Sequence, residues 1–107
     1  MCGISAFFAR ESVPDYKHLA TLFEGTERRG QDGFGIYLDQ RDGSPPIIKK
    51  WIEPYSKVSH EVQVVVEPHL RIGTLVIAIS RAAPETEPVS SIQNLQPIYN
   101  GDCVVAH

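Results

Sequence analysis

The chain places a potential nucleophile at its second residue. Cys2 follows Met1, and removal of Met1 would leave a thiol and a free α-amine on one α-carbon. The thiol has a reference pKa of about 8.5 and the α-amine one of about 7.7–8.0, so the amine is partly neutral near pH 7. The amine could accept the thiol proton and later return it to a leaving group. Alternatively, Cys2 is a small apolar residue at the start of a strand.

The residues after Cys2 favour the catalytic interpretation. Gly3 would leave space for a substrate against the backbone, and the apolar run at 4–9 predicts a buried strand. A buried strand would hold the terminus still, as a catalytic terminus requires.

A glycine-rich stretch forms the second candidate site. Three glycines fall within residues 30–35, which indicates a backbone that turns sharply or approaches another segment closely. The spacing of the dinucleotide fingerprint and of the P-loop is not met. The stretch is either a turn in which Arg29 and Asp32 pair, or a loop that closes over Cys2.

Composition excludes several classes of protein. The 107 residues are one domain or part of one, and 42% are apolar and 21% charged, as in ordinary globular proteins. The net charge of -3 gives no basic footprint for nucleic acid. The apolar run after Met1 is too short for a membrane span or a signal peptide. We therefore expect a cytoplasmic protein, with Cys2 and Cys103 reduced.

The pattern of apolar residues predicts an α+β fold. Its elements are a helix at about 14–27 capped by Ser12, a hairpin of strands at 34–40 and 46–52, an ambiguous segment at 58–66, and a central strand at 73–80 covered on both faces. The ambiguous segment fits an alternating strand as well as a helical face. Arg81 stands at the end of the central strand, where a guanidinium would pair with a carboxylate of the protein or of a ligand.

Three short motifs resemble those of a known family. Met-Cys-Gly-Ile at residues 1–4, Arg29-Gly30-Gln31-Asp32 followed by Gly35-Ile36, and Asn94-Leu95-Gln96-Pro97 occur in that order. Together they resemble the class II glutamine amidotransferases of the amino-terminal-nucleophile hydrolase superfamily. The second motif is closest to its amidophosphoribosyltransferase form. The resemblance implies a helix at 58–66.

The resemblance also implies an architecture. Such enzymes have a four-layer αββα sandwich with largely antiparallel sheets, and residues 1–107 would form only its first half, apparently truncated after His107. The asparagine-glycine pair of the oxyanion site would follow beyond His107. The implied partners are the missing C-terminal half of the domain and an ammonia-accepting synthase domain, with no nucleic acid or membrane.

The implied reaction is a glutaminase half-reaction. Cys2 would attack the side-chain amide of L-glutamine and form a thioester, giving glutamate and ammonia. Arg81 would bind the α-carboxylate, and the backbone of Gly30 would lie beside the bound amide. Three further residues would support the site: Arg29, Asp32 and Asn94. The sequence departs from the family pattern at 82–88.

No cofactor is implied for this half-reaction, and ATP or a phosphorylated sugar would enter only at the absent acceptor domain. No metal site is expected, because His60 and His69 do not fit a ligand spacing. The alternative to an active enzyme is an inactive fragment, or an interaction or regulatory module with the same fold.

Overall fold

The computed structural model describes residues 3–82, 98–99 and 104–105. These residues form an α+β structure in which two helices cover one face of an antiparallel sheet. The elements are β1 (Gly3–Phe8), α1 (Tyr16–Glu27), β2 (Gly33–Asp39), β3 (Ile47–Trp51), α2 (Tyr55–Val66) with a 3₁₀ turn (Glu67–His69), β4 (Leu75–Arg81), β5 (Ile98–Tyr99) and β6 (Val104–Val105). No helix in this part of the chain has the length and apolar character needed to cross a bilayer.

Strand β4 is central in the sheet. The strand order is β1-β4-β2-β3, and β4 pairs antiparallel with both of its neighbours. Gly3 lies opposite Ser80, and Gly33 lies opposite Arg81. The starts of β1 and β2 and the end of β4 therefore share one end of the sheet, which positions the candidate site.

Helix α1 begins later than predicted. Its N-cap is Asp15, whose carboxylate accepts a hydrogen bond from the Lys17 backbone N–H at 3.2 Å. The predicted cap, Ser12, lies outside the helix, as does Pro14. Asp is as good a cap as Ser, and the fixed φ of proline also suits the extended residues before a helix, so both starts agree with the local signals.

Helix α2 resolves the ambiguous segment. Val58, Val62 and Val66 are buried at a spacing of four residues, which is one face of a helix, and Val64 is exposed. A strand would have put Val62, Val64 and Val66 on the same face. The helical interpretation is confirmed.

An aromatic cluster joins the helices to the sheet. Phe23 packs edge-on against Tyr16, Phe34 and Tyr55, with ring centroids 5.4–6.5 Å apart. Trp51 stacks on Phe34 at 6.1 Å and is half-buried. Rings at these distances and angles attract one another beyond their burial, so Phe23 is the centre of the core.

The Tyr16 and Tyr55 hydroxyls form a buried pair 3.3 Å apart. Burial raises the pKa of both phenols above the usual value, and for Tyr16 the hydrogen bond with Tyr55 raises it further.

We therefore expect stability to fall at alkaline pH. The raised pKa values mean that the folded protein holds these protons more tightly than the unfolded chain. The stabilisation is fully present below pH ~10 and is lost as the pH rises above that value, by up to about 1.4 kcal/mol per pH unit for each phenol. Urea midpoints between pH 8 and 11 measure the loss, and Tyr16→Phe should reduce it. An unchanged pH dependence in that variant would contradict the assignment.

The other face of the sheet carries apolar side chains. Alternation along β1 puts Ile4 and Phe8 on the face away from the helices, and they are 50% and 43% exposed. Ile79 and Tyr37 share this face and are buried. The α+β class is observed, whereas the four-layer sandwich stays a prediction.

Candidate functional site

The loop between α1 and β2, the start of β2 and the end of β4 meet at one end of the sheet. The backbone N–H of Asp32 donates to the Arg81 carbonyl oxygen at 2.7 Å, and Gly33 continues the pairing as β2 begins. The loop between α1 and β2 is thereby fixed to the residue that was predicted to bind a carboxylate. The structure therefore brings Arg29, Gly30, Asp32 and Arg81 together.

Gly30 is packed against the backbone of β4. Its N–H donates to the Glu27 carbonyl, which completes the last turn after α1. A Cβ at this position would lie 2.5 Å from the carbonyl carbon of Arg81 and 2.7 Å from the nitrogen of Ala82. Glycine is required at position 30 because the backbone of Arg81 and Ala82 lies too close for a side chain. The segment close to Gly30 on this side is therefore the protein's own backbone and not a bound ligand.

Gly3 has a similar structural role. A Cβ here would lie 2.4 Å from the carbonyl oxygen of Thr26 and 3.0 Å from the Cβ of Arg29. The expected space for a substrate on this side of Gly3 is thus occupied by the end of α1. This corrects the sequence interpretation, because Gly3 serves the packing of β1 against α1.

The Arg81 side chain holds a buried donor that no described residue pairs with. Within residues 3–82, 98–99 and 104–105, its Nε has no hydrogen-bond partner, and neither has the fully buried Ser80 hydroxyl. Alternation along β4 puts Ser80 on the helical face and Arg81 on the opposite face, which it shares with Ile79. Ser80 was missed by sequence reasoning, since a serine in an apolar strand gives no sign of whether its hydroxyl is paired.

Arg29 and Asp32 are exposed, and both take part in interactions within the structure. Both residues contribute backbone hydrogen bonds: Arg29 N donates to the Thr26 carbonyl oxygen at 3.2 Å, and Asp32 N donates to the Arg81 carbonyl oxygen at 2.7 Å. Their role in supporting the site stays a prediction.

Two predicted site residues, Cys2 and Asn94, lie outside the described residues. The chain enters β1 one residue after Cys2, so the approach of its thiol to Arg81 stays a prediction. Within the described part of the chain, no three potential ligands (His, Cys, Asp or Glu) are grouped as a metal site would require.

Comparison with curated proteins finds a similar enzyme. A 7-cyano-7-deazaguanine synthase from Saccharolobus solfataricus is 32% identical to this chain over 91 residues. The alignment includes 83% of this chain and 19% of the relative, so the chain spans about a fifth of that enzyme. No protein-family model matches the chain. No solved structure matches it.

This similarity corrects the predicted family and reaction. The relative is named as a 7-cyano-7-deazaguanine synthase, which contradicts the assignment to the glutamine amidotransferases and the glutaminase half-reaction through a Cys2 thioester. The alternative of an inactive or regulatory module gains no support from it either. The coarser expectation of an enzyme agrees with the relative, which is a synthase by name.

Proposed function

We propose that this chain is part of an enzyme of the 7-cyano-7-deazaguanine synthase type. The identity of 32% over 91 residues supports this, and it extends well beyond the short motifs around Cys2 and Arg81. Because the alignment includes 19% of the relative, further polypeptide would complete the enzyme. A second sheet packed on Ile4 and Phe8 would give the predicted sandwich.

In this enzyme, the end of β4 binds a reactant that carries a carboxylate. The observation that supports this is the buried Arg81 Nε, which has no partner in the part of the chain that the structure describes. An unpaired buried donor costs about 1–3 kcal/mol, more when charged. A guanidinium presents paired N–H donors that match the two oxygens of a carboxylate, so such a ligand would satisfy this donor.

Cys2 is the candidate nucleophile of the same site. Gly3, the residue after it, pairs with Ser80, the residue before Arg81. A reactive thiol there would be alkylated by iodoacetamide faster than Cys103. Mass spectrometry of the amino-terminal peptide would show the adduct and whether Met1 is removed. Equal rates of labelling of Cys2 and Cys103 would show that Cys2 is not the nucleophile of this site.

The proposed activity can be tested by complementation. The full-length protein is expressed in a host strain that has lost its own 7-cyano-7-deazaguanine synthase, and the product is measured by mass spectrometry. Restored 7-cyano-7-deazaguanine supports the proposal. Its absence, while the protein is expressed and folded, would refute the proposal.

Arg81→Gln should lower product formation in this assay by roughly tenfold to a hundredfold, because hydrogen bonds to charged groups contribute about 1.5–3 kcal/mol. Arg71→Gln is the matched control. Arg71 is an exposed arginine that pairs with Asp42, and such pairs contribute about 0–1 kcal/mol. Equal activity of the two variants would exclude Arg81 from ligand binding.

A further inference from the structure

Strand β3 forms one edge of the sheet. In the part of the chain that the structure describes, β3 pairs with β2 on one side and has no neighbouring strand on the other, while β5 and β6 pair with each other in a separate sheet. The outer N–H and C=O groups of an edge strand can pair with a further strand. None of the residues assigned to the candidate site lies on β3.

A groove follows this edge on the helical face of the sheet. It is lined by Lys49, Trp51, His60, Glu61, Val64 and Val65. The Trp51 ring is held by stacking on the buried Phe34, and across the groove Val64 is 60% exposed. The volume of about 330 Å³ is sufficient for one or two apolar side chains. A strand added to β3 would direct every second side chain towards this groove.

The edge carries two lysines on opposite faces. Lys49 is exposed on the helical face, and Lys50 is half-buried on the other face, where it lies opposite Gly35. Neither ammonium group forms an ion pair with any residue that the structure describes. The carboxylate in the groove, that of Glu61, accepts a hydrogen bond from Trp51 Nε1 at 3.0 Å. Both faces of the edge therefore present a positive charge to an incoming strand.

The two lysines determine which strand can be added. Antiparallel addition of β3 from a second copy, centred on the strand, would place Lys49 directly opposite Lys49, and like charges in such a pair are destabilising. Lysines on an edge strand oppose pairing with strands that cannot compensate their charge. An acidic strand instead gains an attractive cross-strand pair on each face, so the lysines that exclude a second copy select an acidic partner.

We propose that β3 binds an extended acidic segment of another protein by strand addition. The segment has two adjacent acidic residues, which point to opposite faces and therefore pair with Lys49 and Lys50 together. An apolar residue two positions from the acid opposite Lys49 shares its face and enters the groove between Trp51 and Val64. Main-chain hydrogen bonds along β3 supply affinity, and the lysines and the groove supply specificity. This interaction is independent of the reaction proposed above.

The test uses the full-length protein and a fluorescein-labelled peptide with blocked termini, Ser-Thr-Val-Glu-Glu-Val-Thr-Ser. Fluorescence anisotropy should show saturable binding. A peptide with Lys-Lys in place of Glu-Glu should bind at least about tenfold more weakly, because both cross-strand pairs become repulsive. The acidic peptide N-methylated at its valines and glutamates keeps its charges but loses the backbone donors, and its affinity should fall by at least about tenfold.

Lys49→Glu should reverse the preference. It should weaken binding of the acidic peptide about tenfold and strengthen binding of the basic peptide, because the cross-strand pair changes sign. Lys17→Glu, at an exposed lysine in α1, is the control for the change in charge and should bind as the parent does. Amide hydrogen exchange supplies a second measurement: the outward-facing amides of β3 (Ile47–Trp51) should gain protection when the acidic peptide is added.

Equal binding of the acidic and basic peptides, full binding of the methylated peptide, or an equal loss in Lys49→Glu and Lys17→Glu would each overturn the proposal. So would protection of the outward-facing β3 amides without peptide, because a second copy or the rest of the polypeptide would then cover this edge.

Discussion

Gly30→Ala is expected to destabilise the protein by about 3 kcal/mol, at the upper end of the usual cost of overpacking. The added methyl would lie 2.5 Å from the carbonyl carbon of Arg81 and 2.7 Å from the nitrogen of Ala82. Both are backbone atoms, which cannot rotate away as a flexible side chain could. Either the loop after α1 or the end of β4 must therefore shift, at the expense of the Asp32 N to Arg81 O hydrogen bond.

The same shift should impair the candidate site, because the Asp32 N to Arg81 O hydrogen bond fixes the position of the Arg81 backbone. Urea unfolding measures the stability, and the complementation assay measures the effect on product formation, which we expect to fall at least as far as in Arg81→Gln. A Gly30→Ala protein with unchanged stability would contradict the close approach of this loop to β4.

Gly25→Ala is the matched control. Gly25 lies inside α1, and a Cβ there would meet nothing within 4 Å. Alanine is favoured over glycine in a helix by about 0.5–1 kcal/mol, so this variant should be more stable than the parent. If Gly→Ala lowers the free energy of unfolding at position 30 and raises it at position 25, contact with the backbone of β4 is the cause of the loss at Gly30.

The fold was largely predictable where burial follows a period. Leu19 and Phe23 in α1 and the valines of α2 repeat at helical spacing and are buried, and the apolar run before Arg81 is the central strand. The start of α1 was not predictable, because Ser12 and Asp15 are equally good caps and Pro14 fits either position. Which cap is used depends on how the preceding loop leaves β1.

The site was predictable only in part. The sequence identified Gly30 as a position of close approach, but the segment that it approaches, the end of β4, is distant along the chain. Gly3 was misinterpreted for the same reason, since its neighbour is the carbonyl of Thr26. That no described residue pairs with the Ser80 hydroxyl could not be foreseen, because the pairing of a buried group depends on the packing around it.

The reaction was less predictable than the residues. A thiol and a guanidinium define what kind of ligand can bind and what attack is possible, but many reactions share those groups. The motifs around Cys2 and Gly30 are a few residues long, whereas the similarity to the synthase extends over 91 residues. The function therefore has to be tested by measuring the product, and the role of each residue has to be tested with its own variant.

Phe23→Ala should have the largest effect on stability, a loss of about 3–5 kcal/mol. Phe23 is 2% exposed and contacts the rings of Tyr16, Phe34 and Tyr55. Removing it leaves a cavity between both helices and the sheet, and it also removes three edge-on ring contacts. Against a total stability of about 5–15 kcal/mol for a domain, this is a large fraction.

Leu22→Ala provides the comparison at the adjacent residue. Leu22 is 43% exposed, so its truncation should cost less than about 1 kcal/mol. Phe34 links the core to the candidate site, since it follows Gly33 and lies opposite Ser80. Loss of Phe23 should therefore also loosen the start of β2, seen as faster amide hydrogen exchange at Gly33 and Phe34 than at Ile47. Uniform exchange across the sheet would show that the core and the site are not coupled through this ring.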